Sequence, residues 1–163
     1  MNPRPRKLQV LRWLPTRWVL TRGVRQRRVL HLTFDAGPHP EHTPALLDLL
    51  AVHRAQATFF VIGQHAERNP DLVERIVREG HTLGNHSWSH PQFDRLGLPA
   101  QRDEIERTDR LLTRFDGLAR HDFGPPLGVM PRPVVLDCIR RGRRIAYWSY
   151  DSLDYSQQPA ETL

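Results

Sequence analysis

Residues 57–90 read ATFFVIGQHAERNPDLVERIVREGHTLGNHSWSH, which predicts a strand, a helix and a second strand in succession. The run 57–62 is apolar and rich in β-branched and aromatic residues, and a glycine stops it. Asn69-Pro70 then supplies a cap and a first-turn proline, and apolar side chains recur at helical spacing up to Gly80. A short strand over 81–85 follows. The stretch therefore predicts one β-α-β unit, the building block of a parallel sheet.

The same alternation continues on both sides of this unit. Because strands that alternate with helices are typical of parallel sheets and barrels, the pattern predicts an α/β fold. The further predicted elements are a strand over Arg28–Asp35 that ends at Gly37-Pro38, a helix that begins at Thr43-Pro44, helices over 99–115 and 133–141, and a strand over 145–150 that ends at Asp151.

The composition is that of a globular domain. The chain has 163 residues, 39% of them hydrophobic and 26% charged, and no apolar run approaches the ~20 residues that a membrane span needs. The single cysteine, Cys138, excludes an intrachain disulfide and a cysteine zinc cluster, which fits a reducing compartment.

The positive charge is concentrated at the N-terminus. Residues 1–28 contain nine Arg and Lys and no acid, so that the rest of the chain has a net charge of −3 out of the total of +6. We interpret 1–28 as a basic leader that need not be ordered and 29–163 as the folded domain. The leader is either a solvated tail or a contact for an anionic surface. It makes a poor signal peptide because Pro15 and Arg17 interrupt its apolar run, so the expected location is cytoplasmic by default.

Polar groups stand where the predicted strands end, which is the edge of a parallel sheet where sites are built. They are Asp35 after the first strand, His86-Ser-Trp-Ser-His90 after the third, the stretch 123–128, and Asp151 with Asp154 after the last. On a helical turn, two imidazoles four residues apart share a face and could hold one divalent cation. The alternative for His86 and His90 is a structural pair in a polar loop.

Taken together, these motifs resemble the polysaccharide deacetylases of the NodB-homology type, carbohydrate esterase family 4. The resemblance runs from about Val29 to Tyr155 and includes LTFDAGPHPEHTPALLDLL, the stretch 57–90 and YWSYDSLDY. It implies an incomplete, distorted (β/α) barrel with its site at the C-terminal rim. It also implies a metal-dependent hydrolase that removes N-acetyl or ester groups from a glycan.

The resemblance implies a role for each matching position. Asp35 matches the general base, and His86 and His90 match two ligands of a divalent metal, of which zinc is the first choice. The backbone N–H of Leu127 matches an oxyanion donor, and Asp151 matches a catalytic acid of the fourth motif. No specific binding of nucleic acid is implied.

The sequence departs from the family pattern at four places. Ala36 stands where the family has a metal-binding Asp, and Gly124 stands where it has an Arg that orients the base. Tyr155 replaces a usual Trp, and the motif with the general-acid His would lie beyond Leu163, so we expect a domain without its C-terminal part. Since the loss of a ligand should weaken metal binding at least 10–100-fold, we expect weakly bound zinc and impaired activity.

Three functions remain open from the sequence. The first is a glycan deacetylase of reduced or altered activity. The second is a catalytically inactive or vestigial protein that binds an acetylated glycan at the rim. The third is a scaffold whose basic leader contacts an anionic partner. Metal content separates the first two.

Overall fold

The computed structural model describes residues 11, 13–23 and 28–152. The described strands are β1 (Val19–Leu20), β2 (Leu32–Gly37), β3 (Ala57–Val61), β4 (Thr82–Asn85) and β5 (Ile145–Ala146). The helices are α1 (His42–Val52), α2 (Gly63–Arg68), α3 (Pro70–Arg78), α4 (Leu98–Asp116) and α5 (Arg132–Arg140). None of these helices combines the length and the apolar character needed to cross a membrane.

The strands form one parallel arrangement. β2 pairs with β3 and β3 with β4, both in parallel. Phe123 bridges Asn85 of β4 to Ile145 of β5, and β5 pairs in parallel with β1. Within the described residues the sheet does not close into a barrel. The predicted α/β fold with an incomplete barrel is therefore confirmed.

Two apolar clusters fill the space between the sheet and the helices. The first packs α1 and α3 against β3 and β4 and includes the buried Leu47, Phe59 and Val73. The second joins α4 and α5 to β1 and β5 and includes Ile105 and Ile145. β3 is buried on both faces, as expected for a central parallel strand, which explains its nearly continuous apolar run.

Part of the segment interpreted as a leader belongs to the sheet. Val19 is 1% exposed and lies in the second cluster. The N–H of Ile145 donates to the carbonyl of Trp18, and that of Tyr147 donates to the carbonyl of Leu20. A boundary after residue 28 therefore does not separate β1 from the fold. A two-residue strand among arginines offers no alternation long enough to be recognised in the sequence.

Two predicted strands have different bounds in the structure. The first begins at Leu32 rather than Arg28, and Leu30 before it is 80% exposed. The last ends at Ala146 rather than 150. On one side β1 ends at Leu20, and on the other Phe123 is followed by Gly124 and two prolines, which cannot donate to a ladder. Among the residues that the structure describes, the ladder of β5 therefore ends with the hydrogen bond from the N–H of Tyr147 to the carbonyl of Leu20.

Candidate active site

β2 has a bulge at Ala36, near its carboxyl end. Asp35 pairs with Phe60 and Gly37 with Val61, so that Ala36 is an extra residue in β2. Ala36 has φ 67°, in the left-handed region that costs a residue with a Cβ about 1–2 kcal/mol. A bulge of this kind re-aims side chains beside a site. Asp35 and Ala36 are both exposed at the sheet edge.

The register places β2 and β4 on either side of β3 at this edge. Gly37 pairs with Val61, and Val61 pairs with Asn85. Neighbouring strands lie about 4.8 Å apart, so the backbones at Gly37 and Asn85 are about 10 Å from each other. Side chains that follow the two strands can therefore converge.

His86 and His90 face each other across a tight turn after β4. Their ring centroids are 5.0 Å apart. The turn is not helical, in contrast to the expectation, because Ser87 has φ 68° and His90 has φ 57°. Backbone strain concentrated in this way is typical of functional sites. The turn brings the imidazoles together by a route that spacing alone did not indicate.

The imidazole of His86 has a defined tautomer. Its Nδ1 lies 2.8 Å from the carbonyl oxygen of Gly124, which can only accept, so Nδ1 carries the proton and Nε2 keeps a lone pair. Burial lowers the pKa of His86 to about 4, and the nearby His90 adds to this effect. His86 is therefore neutral at pH 7, which is the form that binds a metal.

Two side chains from neighbouring elements hold the histidine turn. Asn85 receives the N–H of Ser87 and donates to Asp109 of α4 at 2.7 Å. The carboxylate of Glu104 accepts the N–H groups of Trp88 and Ser89 at 2.9 and 2.8 Å, and the Ser89 hydroxyl at 2.9 Å. The sequence analysis missed both residues, and nothing in their spacing marks them.

Close packing defines the floor beneath the turn. A Cβ on Gly63 would lie 2.3 Å from the ring of Trp88, and a Cβ on Gly84 would lie 2.4 Å from the ring of Phe60. A Cβ on Gly124 would lie 2.9 Å from the same Phe60 ring. Phe60 thus occupies the space that any side chain at position 124 would enter.

Two further predicted site residues, Leu127 and Asp151, follow Phe123 and β5 along the chain. Leu127, at φ 55°, lies in the 3₁₀ turn Pro126–Gly128 with its side chain 62% exposed. Asp151 is half-buried beyond β5. Asp154 and Tyr155 lie outside the described residues.

One residue near this edge was overlooked in the sequence. His65 of α2 has its Nδ1 3.0 Å from the carbonyl oxygen of Ala36, so its side chain lies beside the bulge. The sequence pattern gave no helix over 63–68, because six residues with one apolar side chain beyond the strand carry no periodic signal.

Two other places in the described residues could bind a ligand. One is a group of exposed residues whose ligand atoms lie within 4.8 Å of one another: His39, Glu41 and His42. No other group of three His, Cys, Asp or Glu residues meets this distance among the residues that the structure describes. A cavity of about 380 Å³ lies among ion pairs of α4 and the residues before β5. It contains none of the predicted site residues, so we place the site by the strand ends and not by cavity size.

Comparison with known proteins identifies the family. The sequence matches the polysaccharide deacetylase family over residues 22–145. The chain belongs to this family. It is 35% identical over 156 residues to a peptidoglycan-N-acetylglucosamine deacetylase of Bacillus cereus, covering 93% of this chain and 57% of the relative. It is 36% identical over 138 residues to a chitooligosaccharide deacetylase of a Bradyrhizobium species, covering 83% of this chain and 63% of the relative.

Solved structures of polysaccharide deacetylases have the same fold. A peptidoglycan N-acetylglucosamine deacetylase in complex with 4-naphthalen-1-yl-N-oxidanyl-benzamide superimposes with a TM-score of 0.85 at 33% identity, covering 92% of this chain and 72% of that one. A CE4 family pseudoenzyme from Bacillus anthracis superimposes with a TM-score of 0.82 at 26% identity, covering 91% and 53%. The family thus includes both active enzymes and a protein described as a pseudoenzyme.

Proposed function

We propose that this chain is a glycan deacetylase of impaired activity that hydrolyses N-acetyl or ester groups. The observation that carries the proposal is the pair His86 and His90 at the carboxyl edge of the sheet, with Nε2 of His86 unprotonated. Relatives named as deacetylases of peptidoglycan and of chitooligosaccharide indicate the substrate class, an acetylated glycan. The chain spans 57% and 63% of their lengths.

The residues present fit a divalent metal in part. His86 and His90 would hold it, and imidazoles suit zinc. The side chain of Ala36 offers no ligand atom. Only two of the protein ligands in the family pattern are therefore present, and the metal should bind weakly. When bound, such a cation supplies a Lewis acid that polarises an acyl carbonyl and lowers the pKa of water.

Three groups of the chain itself have proposed roles in the hydrolysis. Asp35 at the tip of β2 is the proposed base that takes a proton from the attacking water. The backbone N–H of Leu127 is the proposed donor to the developing oxyanion. Asp151 is proposed as a further acid of the site. Gly124 supplies no guanidinium to orient Asp35, which is why we expect slow turnover.

Acetate release tests the proposal. The wild-type chain, His86→Ala and the control His53→Ala would be incubated with N-acetylated chito-oligosaccharide and with peptidoglycan in the presence of Zn²⁺. His53 is exposed at the end of α1, away from the carboxyl edge. We expect slow release that His86→Ala abolishes and His53→Ala preserves. Release that persists at the wild-type rate in His86→Ala would overturn the assignment of the site.

A second function is favoured by the substitutions at Ala36 and Gly124. With no carboxylate at 36 and no arginine at 124, the edge could bind an acetylated glycan without hydrolysing it. Calorimetric titration with the same oligosaccharide distinguishes the two functions. Binding without acetate release supports the binding protein, and release supports the enzyme.

A further inference from the structure

His65 presents its imidazole in the way that metal-binding histidines do. The carbonyl oxygen of Ala36 can only accept, so the Nδ1 of His65 at 3.0 Å carries the proton. The lone pair of His65 is therefore on Nε2. His65 is half-buried.

His86 has the same arrangement on the neighbouring strand end. Its Nδ1 donates to a backbone carbonyl, that of Gly124, at 2.8 Å. A histidine that binds a metal through one nitrogen commonly donates the other N–H to a backbone carbonyl, which fixes the tautomer and the ring orientation. Two histidines that follow two adjacent parallel strands share this feature here.

His90 lies between these two groups. Its ring centroid is 5.0 Å from that of His86. The start of α2 is hydrogen-bonded to the histidine turn, because the N–H of Gly63 donates to the carbonyl of Ser87 at 2.9 Å and that of Gln64 donates to the carbonyl of Trp88 at 3.0 Å. His65, the next residue of α2, therefore lies at the same edge of the sheet as the histidine turn.

We propose that His65 is the third protein ligand of a divalent metal bound with His86 and His90, in the place of a carboxylate at position 36. This inference rests on the proposed function. Three imidazoles with an open fourth position suit Zn²⁺ or Co²⁺ and disfavour Mg²⁺ and Ca²⁺, which prefer oxygen ligands. The set is neutral, so the bound cation keeps its full charge, unlike one neutralised by a carboxylate.

Binding requires a movement of the His65 side chain. The ligand nitrogens of the three histidines are not all within 4.8 Å of one another, since His39, Glu41 and His42 alone meet that distance among the described residues. A half-buried side chain on a short helix can turn about its own torsions, whereas His86, which is 3% exposed, is fixed.

The cluster of His39, Glu41 and His42 is the competing site. The Nδ1 of His39 already accepts the N–H groups of Glu41 and His42 at 3.2 and 3.4 Å. These residues also lie at the start of α1, where the positive end of the helix dipole disfavours a cation. We therefore assign the metal to His65, His86 and His90.

Titration with Co²⁺ followed by absorption spectroscopy tests the inference without any substrate. The purified, metal-free chain, His65→Gln, His86→Ala, His42→Ala and His53→Ala would each be titrated, with Zn²⁺ as competitor. Gln at 65 keeps an N–H donor for the carbonyl of Ala36 but removes the imidazole. Thermal melts in the absence of metal establish that each variant is folded.

We expect one Co²⁺ per chain with intense visible bands of a tetrahedral site. His65→Gln should weaken binding at least about 10-fold and reduce those bands, while His53→Ala and His42→Ala leave both unchanged. Wild-type affinity and spectrum in His65→Gln would overturn the inference, as would loss of binding in His42→Ala. Since no turnover is measured, absence of acetate release would count against the proposed function and not against this ligand set.

Discussion

The backbone at position 36 suits an aspartate better than the alanine that is present. Ala36 has φ 67°, a conformation that Asp and Asn tolerate better than other residues with a Cβ. The side chain is exposed, so an Asp would meet no burial cost. The backbone at this position therefore suits a carboxylate side chain.

Ala36→Asp should raise the affinity for Zn²⁺ by about 10–100-fold, because a carboxylate joins the imidazoles and neutralises part of the charge. Acetate release should still stay low, since Gly124 provides no guanidinium to orient Asp35, the proposed base. Calorimetry on wild type and variant measures the first effect. Unchanged affinity would mean that position 36 does not border the metal site.

The same substitution can be combined with His65→Gln. If the introduced aspartate and His65 compete for one coordination position, the gain in affinity from Ala36→Asp should be larger in the His65→Gln background than in wild type. The four chains of this cycle would be titrated with Zn²⁺ by calorimetry. Equal gains in the two backgrounds would show that the positions are independent.

At the scale of elements, α4 fixes the histidine turn through Glu104. Its carboxylate accepts three hydrogen bonds from Trp88 and Ser89, and hydrogen bonds to a charged group are each worth about 1.5–3 kcal/mol. Since Ser89 is exposed, Glu104→Ala should lower the free energy of unfolding by about 2–3 kcal/mol in total. Glu104→Gln, which keeps an acceptor oxygen, should cost less, as urea denaturation would show. Equal losses in both variants would indicate that the charge is what matters.

α4 also contributes to a buried network of ion pairs through residues of its C-terminal half. Asp109 contacts His121 at 3.1 Å and Arg143 at 2.5 Å, and Asp116 contacts His121 at 3.0 Å. Burial lowers the pKa of His121, but the hydrogen bond to Asp109 and the charge of Asp116 outweigh it, so the pKa is raised above 6.5. Burial raises the pKa of Asp109, but His121 and Arg143 bring it below 3.8.

The two shifts predict opposite limbs in the pH dependence of stability. The contribution of His121 is complete below pH 6.5 and is lost as the pH rises through its folded pKa. The contribution of Asp109 is present above pH 3.8 and is lost as the pH falls through its folded pKa. Stability should therefore be highest between these values. Melting temperatures from about pH 3 to 9 should show that His121→Gln flattens the alkaline limb and retains the acid limb. An unchanged alkaline limb would exclude His121 as its source.

For the whole molecule, β1 ties the N-terminal segment to the far side of the sheet. Val19 is 1% exposed against Ile145, whereas Val52 at the end of α1 is 78% exposed. Val19→Ala should lower the free energy of unfolding by about 2 kcal/mol, and the matched Val52→Ala by no more than about 0.5 kcal/mol. Chemical denaturation measures both. A loss at position 19 no greater than at 52 would mean that β1 is dispensable to the fold.

The sequence predicted the parts of the molecule that rest on periodicity. The β-α-β unit over 57–90 and the long helix α4 follow from apolar spacing, since burial of one face imposes it. The bulge at Ala36, the turn from Ser87 to His90 and the short helix α2 could not be predicted. They depend on single residues at positive φ or on hydrogen bonds to distant elements, such as those that Asn85 and Glu104 provide.

The ring of Phe60 restricts the introduction of an arginine at position 124. A Cβ on Gly124 would lie 2.9 Å from that ring, and a Cβ on the neighbouring Gly84 would lie 2.4 Å from it. Any side chain at 124 therefore collides with an established core residue, and a change there is disfavoured until position 60 has first become smaller. Ala36 faces no such obstacle, because its side chain is exposed. Position 36 can thus accept a larger side chain in a single step, whereas a side chain at position 124 first needs a change at position 60.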